Sequence, residues 1–385
     1  MFWNQDIGNP IIMWILKTVL LLMLYYCGYG ISYKKKNYFA RYAILSIVVY
    51  SLIEGLRWNR GVDYWHYYRD IVTNFRFATE EPEFLYKFFC DIIYFSGLPG
   101  CIAFVIFSGL FITSFLCVLN SFRKYAVWAL PLFYLITVDG AENHIRQFCA
   151  IPFFLFAFSY WLRGKKVYMC LMLCIPPFIH KASLFAVLFF VFFTFVRFKM
   201  KNRGALYISI LYVLLALFWK LDYLSGILPY IQMINVGDDG SNFANYTQNA
   251  DRWFSADGSI SEIAGVTTSV VNIFMTRISA VIALFFGYKV TQKDERLFLP
   301  FWFTCISCFI VCIGGDIELF GRFSEWLYYF YPLILSAIIF YVKENSSNFL
   351  RYIVPLSLLL IYFAYGFLRY WGTPTLTGSA FVWDA

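Results

Sequence analysis

Long apolar runs recur along almost the whole chain, and short polar links separate them. Many of these runs are roughly 18–22 residues long, and a helix of that length crosses a hydrocarbon core of about 30 Å. The pattern predicts about twelve spans, with approximate limits at residues 11–31, 39–56, 98–120, 125–138, 145–162, 167–179, 183–198, 204–221, 265–288, 297–313, 325–342 and 352–371. The predicted fold is therefore all-α, a polytopic bundle of transmembrane helices that forms a single domain over residues 1–385.

The composition supports a membrane protein and argues against two other classes. The sequence is 61% hydrophobic and 14% charged, whereas soluble domains carry about 25% charged residues. Most of the net charge of +8 lies in clusters between the apolar runs, where membrane topology explains it, so nucleic-acid binding is not predicted. The 10 cysteines show no disulfide pattern and lie mostly inside apolar runs, as small apolar side chains would.

The basic residues predict the orientation of the links. Clusters of Lys and Arg fall on alternate links, at residues 34–41, 123–124, 163–166, 197–203, 289–296 and 343–351. The positive-inside rule makes that side cytoplasmic, with both termini outside. The long segments 57–97 and 222–264 then lie outside. We expect segment 57–97 to form amphipathic interfacial helices and segment 222–264 to be a loop that acts as a lid.

Four arginines lie on the outer side, where the orientation bias disfavours positive charge. Arg57 and Arg60 follow the second predicted span, Arg146 begins the fifth, and Arg322 precedes the eleventh. A guanidinium binds phosphate oxygens bidentately. Arginines that converge at the outer leaflet would therefore suit a pyrophosphate, without a metal ion. The alternative is that single arginines snorkel or pair with nearby acids.

The segment that follows the second span also concentrates aromatic and acidic side chains. If residues 57–70 are helical, Asp63 shares one face with the two arginines of this segment and with Tyr64 and Tyr67. Flat rings that offer a hydroxyl group suit the faces of sugars. The same rings are also typical of an interfacial helix.

The three histidines, His66, His144 and His180, all fall on the predicted outer side. They do not show the H-x-x-x-H spacing of a metal site, and no compact set of carboxylates accompanies them. We therefore predict neither a bound metal nor another cofactor.

Four segments, taken in order, resemble the EpsG family, a Wzy-type group of bacterial exopolysaccharide and O-antigen polymerases. They are LRWNRGVDYWHYYRDI, EEPEFLYKFF, ENHIRQFCAIPFFLFA with the following IHKASLF, and FGRFSEWLYYFYPL. The first carries an R-x-x-x-G-x-D-Y-x-x-Y pattern, and the third carries Arg146 and Gln147 at the start of a span. In the second segment, Glu83 stands where the family pattern commonly has glycine.

The resemblance implies a GT-C-like glycosyltransferase in the bacterial cytoplasmic membrane. Its active site would face outward and join oligosaccharide repeat units carried on a polyprenyl diphosphate such as undecaprenyl diphosphate. The expected partners are this lipid-linked substrate, the membrane lipid and a chain-length regulator. The type of final polymer and the identity of the sugars are left open.

Roles for individual residues follow from this expectation. Arg57, Arg60, Arg146 and Arg322 would bind the pyrophosphate, and Tyr64, Tyr67 and Gln147 would contact sugar. Asp63 is the first candidate for the general base, because it would share a face with two arginines. His180 is the second, because histidine titrates near neutral pH. Direct displacement at the anomeric carbon would invert its configuration.

Two other functions compete with a polymerase. A flippase or transporter of the lipid-linked oligosaccharide would also need arginines, but it would be expected to show internal repeats, and the sequence shows none. A monosaccharide transferase that uses a polyprenyl-phosphate sugar would carry an acidic pair in the first outer loop, for which Glu80 and Glu81 are faint candidates.

Overall fold

The structure is a computed structural model that describes residues 10–58, 60–61, 63–76, 82–196, 203–218, 270–314, 318–345, 347–372 and 380–381. The predicted all-α class is confirmed, because nearly all of these residues are helical. The helices are α1 (Pro10–Tyr33), α2 (Phe39–Gly55), α3 (Tyr64–Val72), α4 (Phe84–Phe95), α5 (Cys101–Leu119), α6 (Ala126–Asn143), α7 (Ile145–Leu162), α8 (Lys166–Cys174), α9 (Pro176–Ile179), α10 (Ser183–Phe195), α11 (Gly204–Phe218), α12 (Val270–Lys293), α13 (Phe298–Gly314), α14 (Glu318–Tyr328), α15 (Tyr331–Asn345) and α16 (Asn348–Gly372).

Five stretches of helix within the described residues are long and apolar enough to cross a membrane: Ile15–Tyr33, Lys36–Gly55, Cys101–Leu119, Ile145–Leu162 and Glu295–Gly314. A bent pair, Phe320–Tyr328 with Tyr331–Asn345 at 51°, makes a sixth if it counts as one span. Shorter apolar helices lie at Lys166–Ile179, Ser183–Phe195, Gly204–Phe218 and Asn348–Ile361. The chain is therefore multi-pass, while the count of about twelve spans and the GT-C-like architecture stay predictions.

The helices cluster into two compact units, Met1–Phe192 with Val342–Ala385, and Phe193–Tyr341. The single transmembrane domain over the whole chain stays a prediction. In the first unit, helices α1, α2, α5, α6 and α7 pack together. Its core is aromatic: the ring of Phe133 lies 4.0 Å from that of Phe115 and 4.7 Å from that of Phe111. Apolar side chains on the outer faces of α1 and α2, such as Leu22 and Ile44, are exposed, as lipid-facing side chains would be.

One end of the first unit carries the basic links. Arg123 donates from Nη2 to the carbonyl oxygens of Ile31, at 3.0 Å, and Lys34, at 3.1 Å. The links 34–36 and 123–124 therefore lie together, as the alternation of basic clusters predicts. The C-terminal ends of α2 and α6 and the start of α7 lie at the opposite end, because these helices run up and down in turn.

In the second unit, helices α11 to α14 pack in sequence order. Ser307 on α13 donates to the carbonyl oxygen of Ser324 on α14 at 3.0 Å. The hydroxyl of Tyr331 donates to Ser279 on α12 at 2.9 Å. Hydrogen bonds between helices of this kind replace water for polar groups inside an apolar bundle.

The segment after α2 differs from the expected helix over residues 57–70. Strand β1 (Arg57–Trp58) pairs antiparallel with strand β2 (Ala380–Phe381), with Arg57 opposite Phe381. Helix α3 begins only at Tyr64. Gly61 has φ +99°, a conformation that no right-handed helix contains. The prediction that Arg57, Arg60 and Asp63 share one face of a helix is therefore wrong.

Two short helices, α3 and α4, do occupy segment 57–97. Their position at a membrane interface stays a prediction. The segment 222–264, expected to act as a lid, lies outside the described residues.

Candidate functional site

A buried cluster of charges lies at the end of the first unit opposite its basic links. We call Lys17, Glu54, Arg57, Arg60 and Glu142 the buried cluster. Lys17 donates from Nζ to Oε1 of Glu142 at 3.0 Å, and Arg60 donates from Nη1 to the same oxygen at 3.2 Å. Each of the five side chains is at most 6% exposed. Helices α1, α2 and α6 thus bring together charges that are far apart in the sequence.

Arg60 is held by protein groups. Its Nη1 lies 3.8 Å from Oε2 of Glu54 in addition to the contact with Glu142. Its Nη2 donates to the carbonyl oxygen of Ile53 at 2.7 Å and so satisfies a group at the end of α2. In this arrangement Arg60 fixes the loop after α2 and has no exposed surface to offer a ligand.

Arg57 is the unpaired cation of the cluster. Its side chain is 2% exposed, and among the described residues it makes no ion pair and no side-chain hydrogen bond. The guanidinium lies over the ring of Phe104, at 5.2 Å from the centroid. It also lines a narrow cavity with Tyr50, Ser108 and Ile145. With three cations and two carboxylates, the buried cluster has a surplus positive charge, and Arg57 carries it.

A second group, which we call the Glu83 cluster, comprises Glu83, Arg146 and His180. Oε2 of Glu83 lies 3.4 Å from Nη1 of Arg146, and Oε1 lies 3.5 Å from Nδ1 of His180. The backbone N–H of Lys181 also donates to Oε1, at 3.3 Å. Glu83 is 9% exposed, Arg146 23% and His180 19%. Unlike the buried cluster, this group can therefore be reached from outside the protein.

The charge state of Glu83 follows from these neighbours. Burial alone would raise the pKa of its carboxyl group, but contact with His180 and the positive charge of Arg146 outweigh burial and lower the pKa to about 2. Glu83 is therefore ionised throughout the physiological pH range.

Helix α3 adds a further carboxylate beside Arg146. Asp70 lies 3.4 Å from Nε2 of His66 and 3.7 Å from Nη2 of Arg69. Burial raises the pKa of Asp70, and the charges of His66, Arg69 and Arg146 partly oppose that rise. The positive charge of Arg146 thus acts on two carboxylates, Glu83 before α4 and Asp70 on α3.

The predicted sugar contacts are mostly buried. Tyr64 is fully buried; its ring stacks on Tyr68 at 5.7 Å and lies 5.1 Å from Phe104. Tyr67 is also buried, and the guanidinium of Arg146 lies over its ring at 5.9 Å. In this arrangement Tyr64 packs the segment after α2, and Tyr67 supports Arg146.

The remaining predicted site residues are Asp63, Gln147 and Arg322. Asp63 precedes α3 and makes no side-chain capping bond. Gln147, next to Arg146 on α7, is 2% exposed. Arg322 lies on α14 in the second unit. In that unit Arg277 donates to Sγ of Cys312 at 2.9 Å.

Sequence reasoning missed the acidic members of both clusters and Lys17. Lys17 lies within the first apolar run, and Glu54 ends the second. A charged side chain in such a position marks a functional or paired group, so both were detectable. The connection of Glu83 to Arg146 and His180 had no local signal, because 63 residues separate Glu83 from Arg146. No three His, Cys, Asp or Glu side chains of the described residues come together as metal ligands.

Comparison with known proteins adds one finding to this geometry. The model of a family described as the EpsG family matches residues 40–381. No curated protein matches the chain, and no solved structure matches it.

Proposed function

Since this chain belongs to the EpsG family, we propose that it is a membrane glycosyltransferase that polymerises oligosaccharide repeat units linked to a polyprenyl diphosphate. Family membership indicates a polysaccharide polymerase, and the apolar helices indicate a multi-pass membrane protein. The observation that carries the proposal further is the meeting of Arg146, His180 and Glu83 in one accessible group. That group combines an anion-binding cation with a base and a carboxylate that orients it.

Arg146 is assigned to the diphosphate of the donor. Its side chain is 23% exposed, and its guanidinium lies over the ring of Tyr67. As the bond between the anomeric carbon and the phosphate oxygen breaks, negative charge develops on the leaving polyprenyl diphosphate. A preorganised cation stabilises that charge. Arg57, the unpaired buried cation, adds positive potential at the same end of the unit.

His180 is assigned as the general base. It takes the proton from the acceptor hydroxyl while the hydroxyl oxygen forms the new bond to the anomeric carbon. This direct displacement inverts the anomeric configuration. The contact of His180 with Glu83 favours it over Asp63, for which no side-chain partner occurs among the described residues.

Charge distribution supports an outward-facing site in the bacterial cytoplasmic membrane. The basic links 34–36 and 123–124 lie at one end of the first unit, and positive links are typical of the cytoplasmic side. The two charge clusters are at the opposite end, where lipid-linked units and a chain-length regulator would meet the enzyme.

The direct test is extension of a lipid-linked oligosaccharide by the purified protein in lipid. We expect Arg146→Lys and His180→Gln each to lower the rate about 10²–10³-fold, because each removes a group that acts in the transition state. Arg296→Lys is a matched control, since Arg296 pairs with Asp294 on an exposed surface. Asp63→Asn in the same assay decides between the two candidate bases. If Arg146→Lys and His180→Gln both polymerise like wild type, the site assignment is wrong.

A flippase is separated from a polymerase in cells that lack the protein. Accumulation of single repeat units on the lipid carrier at the outer leaflet supports a polymerase. Accumulation on the cytoplasmic leaflet supports a flippase.

A further inference from the structure

The carboxylate of Glu83 is divided between two partners. One oxygen lies near Arg146 at 3.4 Å, and the other lies near His180 at 3.5 Å and the N–H of Lys181 at 3.3 Å. Well-formed charge-assisted hydrogen bonds are about 2.7–2.9 Å long. The contacts of Glu83 with Arg146 and His180 are both longer than this. A small movement of the carboxylate would therefore shorten one contact to a full charge-assisted hydrogen bond and lengthen the other.

A diphosphate at Arg146 would compete with Glu83 for the same guanidinium. Both ligands are anionic, and two anions on one planar cation repel each other. The diphosphate carries more charge than a carboxylate and can take the bidentate position. The N–H of Lys181 already holds Oε1 of Glu83 on the His180 side, which gives the displaced carboxylate a place to go.

We propose that Glu83 is a positioning residue that leaves Arg146 and closes on Nδ1 of His180 when the diphosphate of the donor binds Arg146. The proposal rests on the function proposed above and adds the order of two events, donor binding and activation of the general base. The base is completed only after the donor is in place.

The movement of the Glu83 carboxylate from Arg146 to His180, which we call the exchange, has a defined chemical consequence. A carboxylate at Nδ1 holds the proton on that nitrogen and leaves Nε2 as the basic atom. It also stabilises the imidazolium that forms when Nε2 accepts the proton of the acceptor hydroxyl. In the arrangement described above, Glu83 also neutralises Arg146, so neither charge is left uncompensated in a partly buried place.

Further charged groups among the described residues lie next to the pair in sequence or act on it. Lys181 follows His180 and is exposed. On α3, Asp70 acts on Arg146 and is itself paired with His66 and Arg69. Because the pKa of Glu83 is about 2, the group that moves carries a full negative charge at neutral pH.

The test uses inorganic pyrophosphate as the probe and titration of His180 as the readout. The chain has only 3 histidines, so isotope-labelled histidine signals can be followed by NMR and assigned with His180→Gln. We expect saturating pyrophosphate to raise the pKa of His180 more in wild type than in Glu83→Gln. Asp91→Asn is the control, because Asp91 is an acidic residue on α4, the helix that begins directly after Glu83, and lies outside the Glu83 cluster.

Each result decides the question. Equal rises in wild type and Glu83→Gln mean that the bound anion acts on His180 directly, and the exchange is then refuted. Absence of pyrophosphate binding in wild type also refutes it, because Arg146 then takes no diphosphate. A larger rise in wild type, lost in Arg146→Gln, supports the exchange.

Steady-state kinetics provide a second readout. For Glu83→Gln we expect kcat to fall about 10–100-fold, with KM for the lipid-linked donor unchanged or lower because the competing carboxylate is gone. The acidic limb of the pH profile of kcat should move to lower pH, and Glu83→Asp should restore part of kcat. A rise in KM alone would contradict the exchange. If wild type extends no oligosaccharide, the proposed function fails, while the pyrophosphate titration still decides the role of Glu83.

Discussion

Replacing Glu142 by Gln tests whether the buried cluster holds the first unit together. Glu142 is fully buried and accepts hydrogen bonds from both Lys17 and Arg60 on one oxygen. The wild-type cluster has a net charge of one positive, and Glu142→Gln leaves it with two. Removing one partner of a buried ion pair costs about 3–5 kcal/mol, because the remaining charge is uncompensated. We therefore expect a loss of this size in the free energy of unfolding.

Charge counting also predicts the order of three variants. Lys17→Met makes the cluster neutral, and Glu142 keeps its contact with Arg60, so we expect a smaller loss of about 0–2 kcal/mol. The double variant Lys17→Met/Glu142→Gln restores the net charge of wild type. It should be less destabilised than Glu142→Gln alone, with a coupling energy of about 0.5–3 kcal/mol.

Thermal unfolding in detergent, followed by tryptophan fluorescence, measures this order, and the chain has 12 tryptophans to report it. For a unit of this size 1 kcal/mol corresponds to roughly 2–4 °C in the unfolding midpoint, so Glu142→Gln should unfold about 6–20 °C below wild type. An unfolding midpoint of Glu142→Gln within about a degree of wild type would show that the buried cluster does not stabilise the first unit. A loss for Lys17→Met as large as that for Glu142→Gln would contradict the predicted order of the variants.

Three further predictions concern Gly61, Arg57 and Glu83. Gly61→Ala should lower the free energy of unfolding by about 2 kcal/mol or more, because φ is +99° and an added Cβ would clash with the carbonyl oxygen of Glu142. Thermal unfolding measures this loss, and a midpoint equal to that of wild type would contradict it. Arg57→Met should leave the free energy of unfolding unchanged or higher, since it removes a buried unpaired cation, but it should lower the rate of polymerisation. A variant that is less stable than wild type and fully active would show that Arg57 stabilises the fold and does not act in polymerisation. Glu83 has a lowered pKa, so its contribution to stability is complete above about pH 4.5 and is lost as pH falls toward about 2. The stability difference between wild type and Glu83→Gln should shrink over that range, and a constant difference would show that the Arg146 contact is not ionic.

The apolar pattern alone determined the helical class and the position of much of the helical structure. The predicted runs at 98–120 and 145–162 correspond to α5 and α7, which differ from them by three residues or fewer at either end. Such runs are local in sequence, and burial of apolar side chains is decided by their spacing and length. The alternation of basic links similarly anticipated the contact of Arg123 with the end of α1. The ordered motifs were sufficient to recognise the EpsG family, which the match over residues 40–381 confirms.

Tertiary structure decided what each charged residue does. Four arginines were equivalent in the sequence, yet packing pairs Arg60 with Glu142, leaves Arg57 unpaired and places Arg146 beside Glu83. These partners are more than 60 residues apart in the chain, so no local pattern specifies them. Gly61 ends the expected helical face through its backbone conformation, and its close contact with Glu142 exists only in the folded chain. Hydrophobic periodicity is a property of neighbouring residues, whereas the strength of an ion pair depends on distance and burial that packing alone creates.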